Sequence, residues 1–125
     1  MIQSLLQVAL GGALGASARY MTNVAAMRLV GPGFPWATVA VNVAGSFLMG
    51  ALVVTLAHKD ATRMAPFLMT GVLGGFTTFS AFSLDALTLW ERGQAGLAAT
   101  YVLGSVTLSL AAIVAGMAAT RAFFA

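Results

Sequence analysis

The sequence predicts an all-α integral membrane protein of four transmembrane helices, on three observations. Of its 125 residues, 60% are hydrophobic and only 7% are charged, a balance typical of membrane chains. Four charge-free runs stand out: Met1–Ala18, Pro35–Ala57, Met64–Leu84 and Gly93–Thr120. Each reaches the ~18–20 residues that cross about 30 Å of hydrocarbon. The segments between them are short, so no soluble domain fits and consecutive helices must run antiparallel as neighbours.

The first helix is placed over residues 2–27, continuing through Arg19. Gly11, Gly12, Gly15 and Ala16 form overlapping small-xxx-small pairs. In lipid the hydrophobic drive for helix association is weak, and such pairs let backbones approach closely. With no basic n-region and no Ala-x-Ala-type site, the N-terminus is not expected to be a cleaved signal peptide. Gly31, Pro32 and Gly33 punctuate its end.

The second helix covers residues 35–57 and carries Ala40, Ala44, Gly45 and Gly50 as a further packing set. Asn42 lies inside it, with Thr38 one turn before and Ser46 one turn after. A buried amide needs partners in hydrocarbon. Two readings stay open: glue between helices, or donation of its NH₂ to an anion.

The third helix covers residues 64–90 and contains GVLGGFTTFSAF, residues 71–82. Gly71, Gly74 and Gly75 weaken a helix, and Thr77 and Thr78 can divert backbone hydrogen bonds. One reading is a break at membrane depth. Freed carbonyls there would suit a hard cation, and the N-terminus of the second half would attract an anion. The other is a glycine packing face whose hydroxyls bond back to the preceding turn. Phe79 and Phe82 share a face of whatever helix follows. They either pack against core and lipid or turn positive ring edges toward an anion.

The fourth helix covers residues 95–121, with Ala112 and Gly116 for packing. Tyr101, Ser105 and Ser109 recur at four-residue spacing and make one polar stripe. Those hydroxyls either bond their own backbone or donate to an ion without trapping it.

Lys and Arg do not choose a side. Lys59, Arg63 and Arg121 fall on one face, and Arg28 and Arg92 on the other, toward which Arg19 leans. Either a short chain sampled its charges evenly, or the protein inserts both ways and pairs antiparallel. Four short helices enclose no polar path alone, which points separately to an oligomer.

Several classes are excluded. The six basic residues are scattered and form no nucleic-acid patch. Without cysteine there are no disulfides or thiolate metal sites. No phosphate-cradling loop, nucleophile–base pair or histidine cluster suggests an enzyme. No carboxylate lies near the middle of a span, as a proton-coupled exporter would need, whereas a passive path needs none.

Taken in order, GGALGASARY (11–20), TVAVNVAGSFLMG (38–50) and GGFTTFSAF (74–82) resemble the Fluc, or CrcB, family of bacterial fluoride channels, and the likeness covers nearly the whole chain. The resemblance implies an antiparallel dual-topology homodimer in the bacterial inner membrane, with the third helix broken at mid-membrane. It implies passive export of cytoplasmic fluoride, relieving its toxicity. It implies a fluoride path through Asn42, Phe79, Phe82, Tyr101, Ser105 and Ser109, with Thr38 beside Asn42. It also implies a structural sodium ion on the dimer axis, held by backbone carbonyls of Gly74 and Thr77. Arg19 maps to an arginine of the family's first helix, and Asp85 stands where glutamate is common; both are expected in a structural or vestibule role. Ala81 replaces a usual hydroxyl.

Fluoride fits these residues physically. It is small and tightly hydrated, so a pore must replace its water with many neutral donors. Two other readings compete. A small multidrug-resistance-type transporter needs a deep carboxylate in the first helix, and residues 1–27 hold none. A non-transporting accessory subunit would use residues 71–82 only for packing.

Overall fold

The computed structural model describes residues 1–125, and every regular element in it is helical. Helix α1 spans Ile2–Leu29 and α2 spans Trp36–His58. A 3₁₀ turn, Thr62–Met64, leads into a π-helical segment, Pro66–Leu73, and then a short α3, Gly74–Phe76. Thr77 is extended, with φ −83° and ψ 160°. Helix α4 resumes at Ser80 and runs to Glu91, and α5 spans Ala95–Phe124.

Three stretches are long and apolar enough to cross a membrane: Trp36–His58, Thr62–Glu91 and Ala95–Phe124. Helix α1 has 28 residues, a length of about 42 Å at the α-helical rise. Gln3, Gln7, Ser17 and Arg19 dilute its apolar character. The connections turn on glycines in the left-handed region, at Gly31 and Gly33 after α1 and at Gly93 before α5.

The helices pair by halves. Helix α1 packs on the π-helical segment and α3, whereas α2 and α4 pack on α5. The interruption at Thr77 therefore passes the third span from one partner helix to another.

Glycines make the first of these seams a contact of main chain on main chain. A Cβ on Gly11 would overlap the Phe67 carbonyl, and one on Gly15 the Val72 carbonyl. One on Gly75 would stand 2.7 Å from the Gly12 oxygen. The α2–α5 crossing is built the same way, with Gly50 against the Ile113 carbonyl and Gly116 against that of Phe47. Ala40 and Ala44 are exposed on the subunit surface, so only Gly45 and Gly50 of that set are buried.

The glycines of residues 71–75 do not interrupt the helix. Gly71 and Gly75 are where α1 comes closest, and regular structure continues through them to Phe76. The chain breaks later, at the threonines, because Asn42 captures the main chain there.

Candidate functional site

The interruption is fixed by side chains on both sides of it. Thr77 donates twice to the Leu73 carbonyl, from its amide at 3.0 Å and its hydroxyl at 2.9 Å. Asn42 then holds Thr78 at two points: Nδ2 donates to the Thr78 carbonyl at 2.9 Å, and the Thr78 amide donates to Oδ1 at 2.8 Å. The next donor–acceptor pair starts a new helix, as the Ala81 amide donates to Thr78 Oγ1 at 3.1 Å, the bond an N-cap makes. Among the backbone bonds outside regular elements, none is donated to the Gly74 or Thr77 carbonyl.

Of the two readings of Asn42, the structure makes the interhelical one visible. Its carbonyl and one amide hydrogen are engaged by Thr78; its NH₂ makes no second hydrogen bond within the protein, and Asn42 lines a cleft. That cleft holds about 460 Å³ and brings together Asn42, Gly74, Thr77, Phe79, Phe82, Ser105 and Ser109. The two phenylalanines lie with ring centroids 5.6 Å apart and planes at 47°. Phe82 is buried at 8% exposure, whereas Phe79 is 77% exposed.

Ser105 is the anomaly. It is buried at 6% exposure, and its Oγ has no hydrogen-bond partner. Serines and threonines elsewhere on these helices, Ser17, Thr55, Thr88 and Thr100 among them, bond back to a carbonyl four residues earlier. An unpaired buried hydroxyl costs on the order of 1–3 kcal/mol. Its hydrogen is free to serve something that enters the cleft.

The stripe of α5 does not stay together. Ser105 and Ser109 line the cleft, but Tyr101, at 1% exposure, does not. Its hydroxyl donates to Asp85 Oδ2 at 3.1 Å, and Thr38 Oγ1 donates to the same oxygen at 2.7 Å. The Tyr101 ring lies against Phe82 at 5.2 Å and, edge-on, against Phe34 at 5.5 Å. Thr38 and Asp85 instead line a second cleft of about 270 Å³, with Asn23, Phe34, Thr88 and Arg92. Tyr101 and Phe82 thus stand between a cleft of neutral groups and one holding a carboxylate and a guanidinium.

Arg19 lines neither cleft; its Nε donates to the Gly75 carbonyl at 3.0 Å. Sequence reasoning missed Asn23, Thr88 and Arg92, which sit at helix ends where polar residues are ordinary. Thr88 had one signal, standing three residues after Asp85 on the same helix face.

The first cleft is lined by an amide, hydroxyls and aromatic rings, with no formal charge. Such donors can replace the hydration of a small anion without trapping it.

A family model described as CrcB-like protein, Camphor Resistance (CrcB), matches residues 6–117. A protein from Cereibacter sphaeroides named fluoride-specific ion channel FluC is 75% identical over 125 residues, covering all of both chains. Proteins of the same name from Paracoccus denitrificans and Agrobacterium fabrum are similar too. The first is 59% identical over 125 residues and covers all of both chains. The second is 56% identical over 119 residues, covering 94% of this chain and 95% of the relative.

Proposed function

The chain belongs to the CrcB-like protein family and is a multi-pass membrane protein, and from that premise we propose that it is a fluoride-specific channel exporting cytoplasmic fluoride passively. The observation that carries this reading is the neutral, donor-lined cleft with the unpaired Ser105 hydroxyl inside it. Fluoride passes Ser109 and Ser105 on α5, the free hydrogen of Asn42, and the ring edges of Phe79 and Phe82. Thr38 and Tyr101, held by Asp85, form the far end of the route, toward the charged cleft. Larger chloride is excluded by size. Weak acid enters a cell as neutral HF and ionises there, so an anion pore lets the membrane potential drive fluoride out.

The working unit in this reading is an antiparallel homodimer in the bacterial inner membrane, with α1 as the fourth span. Three features support it. Lys59, Arg63 and Arg121 on one face are set against Arg28 and Arg92 on the other, with Arg19 inside α1. Phe79 is 77% exposed on one subunit. Gly74 is exposed as well, beside the interruption.

A structural sodium ion belongs to the same reading. The Gly74 and Thr77 carbonyls fit it: no amide outside the helices donates to either, and both residues line the cleft. Neutral oxygens from two copies suit a hard monovalent cation, while a divalent ion would call for carboxylates. Bound there, sodium supplies positive field near the anion route.

The test is efflux from liposomes that contain only this protein. Fluoride should leave rapidly without a proton gradient while chloride stays. Efflux that needs a proton gradient would replace the channel with a transporter, and no efflux would favour an accessory subunit.

A further inference from the structure

The seam between α1 and the first half of the third span is made of residues four apart: Gly11, Gly15 and then Arg19. Gly11 lies against Phe67, Gly71 and Val72, and Gly15 against Val72 and Phe76. Where the next glycine would fall stands a guanidinium, and its Nε donates to the Gly75 carbonyl at 3.0 Å. This bond lies at the C-terminal end of the segment, one residue before Phe76 closes α3.

A helix end leaves its last carbonyls without amides. Here their partners are divided unequally. Leu73 O receives both Thr77 donors, and Gly75 O receives Arg19. Gly74 O and Thr77 O receive no amide outside the helices. Arginine is charged at every accessible pH, and a cation at a helix C-terminus is favourable against the helix dipole.

We infer that Arg19 is a positioning residue for the cation site: by capping Gly75 it decides which carbonyls at the interruption stay free, and it holds their peptide planes in place. This rests on the sodium reading above. The role predicts a sign that simple electrostatics reverses. As a mere positive charge near the site, Arg19 would repel sodium, and removing it would tighten binding. As a cap it supports the site, and removing it would weaken binding.

The experiment measures thermal unfolding of the full-length protein in detergent across a sodium titration, with N-methylglucamine replacing sodium at constant ionic strength. Three variants are compared with the wild type. Arg19→Met keeps a long apolar stem and loses the donor and the charge. Arg19→Gln keeps an N–H donor without charge. Arg19→Lys keeps charge and a donor. The midpoint for stabilisation by sodium should rise about tenfold in Arg19→Met, the scale of one lost charge-assisted hydrogen bond. Arg19→Gln should bring it back to the wild-type value or below, and Arg19→Lys should lie between Met and wild type. A midpoint unchanged or lowered in Arg19→Met overturns the positioning role and leaves the sodium reading standing. A wild type indifferent to sodium overturns both. Should Arg19→Met not fold, Lys against wild type decides: a midpoint in Arg19→Lys equal to the wild type, with Arg19→Gln below both, is the pattern of a bare charge and overturns the inference.

Discussion

The two halves of the third span are built on different principles. Residues 66–76 lean on α1 through backbone, with glycine facing glycine and a single guanidinium at the end. Residues 80–91 lean on α5 through side chains, and Phe82, Leu89, Ala98 and Tyr101 form a buried cluster between them. The first half has almost no freedom to vary, because main chain cannot move aside. The second half is where chemistry can be placed, since each side chain has its own rotamer and partner. The difference places scaffold on one side of Thr77 and, in the function proposed above, the ion route on the other.

The sharpest way to break the contrast is Gly15→Val. The new side chain would overlap the Val72 carbonyl, and no side chain there can yield. We expect a loss above about 4 kcal/mol, the range reserved for gross core damage, read as absence of a monodisperse peak in size exclusion. Gly12→Ala is the control. Its added methyl meets nothing within 4 Å, so the protein should assemble normally.

Asn42→Ala attacks the junction itself. It leaves the Thr78 amide and carbonyl unpaired, a cost of about 2–6 kcal/mol for two groups. Thermal unfolding in detergent should fall markedly and fluoride efflux should vanish. Retention of both would mean that the interruption does not depend on this amide.

Phe82→Ile moves to the second half and should be milder. It keeps bulk and apolarity and removes the ring edge, so efflux should drop at least tenfold while the assembled protein elutes unchanged. Flux unchanged from the wild type in both this variant and Phe79→Ile would return both rings to packing.

Ser105→Ala is the smallest change and the most discriminating. Removing a buried hydroxyl with no partner should leave stability equal or raise it by about 1 kcal/mol. Efflux should nevertheless fall several-fold. A variant both less stable and fully active would assign Ser105 to structure.

The helices were legible because the charge-free runs are long and the loops short, and because helix is the periodic structure whose backbone satisfies itself in lipid. Asn42 was legible as a polar group needing a partner, and Ser105 and Ser109 as a stripe. Tyr101 was grouped with them by spacing alone. Its longer side chain reaches past the stripe to Asp85, which no periodicity encodes. The glycines of residues 71–75 support two readings in sequence, a weakened helix and a packing face; Gly71 and Gly75 serve close approach to α1. That confusion is intrinsic: a missing Cβ both loosens a helix and lets a neighbour in, and only the neighbour's position tells which applies. The π-helical turn left no trace in composition.

The bond from Arg19 to Gly75 spans 56 residues of sequence, and that separation matters while the chain is being made. A guanidinium at membrane depth costs about 2.5–3.5 kcal/mol on an insertion scale. During synthesis the first helix emerges with that cost unrelieved and with Gln3 and Gln7 near its start. Its partner carbonyl arrives only with the third span. Until then this helix is a reluctant anchor, and in the dual-topology reading proposed above the choice of which end faces the cytoplasm falls to the helices that follow. In that reading, late commitment is a physical route to populating both orientations from one message.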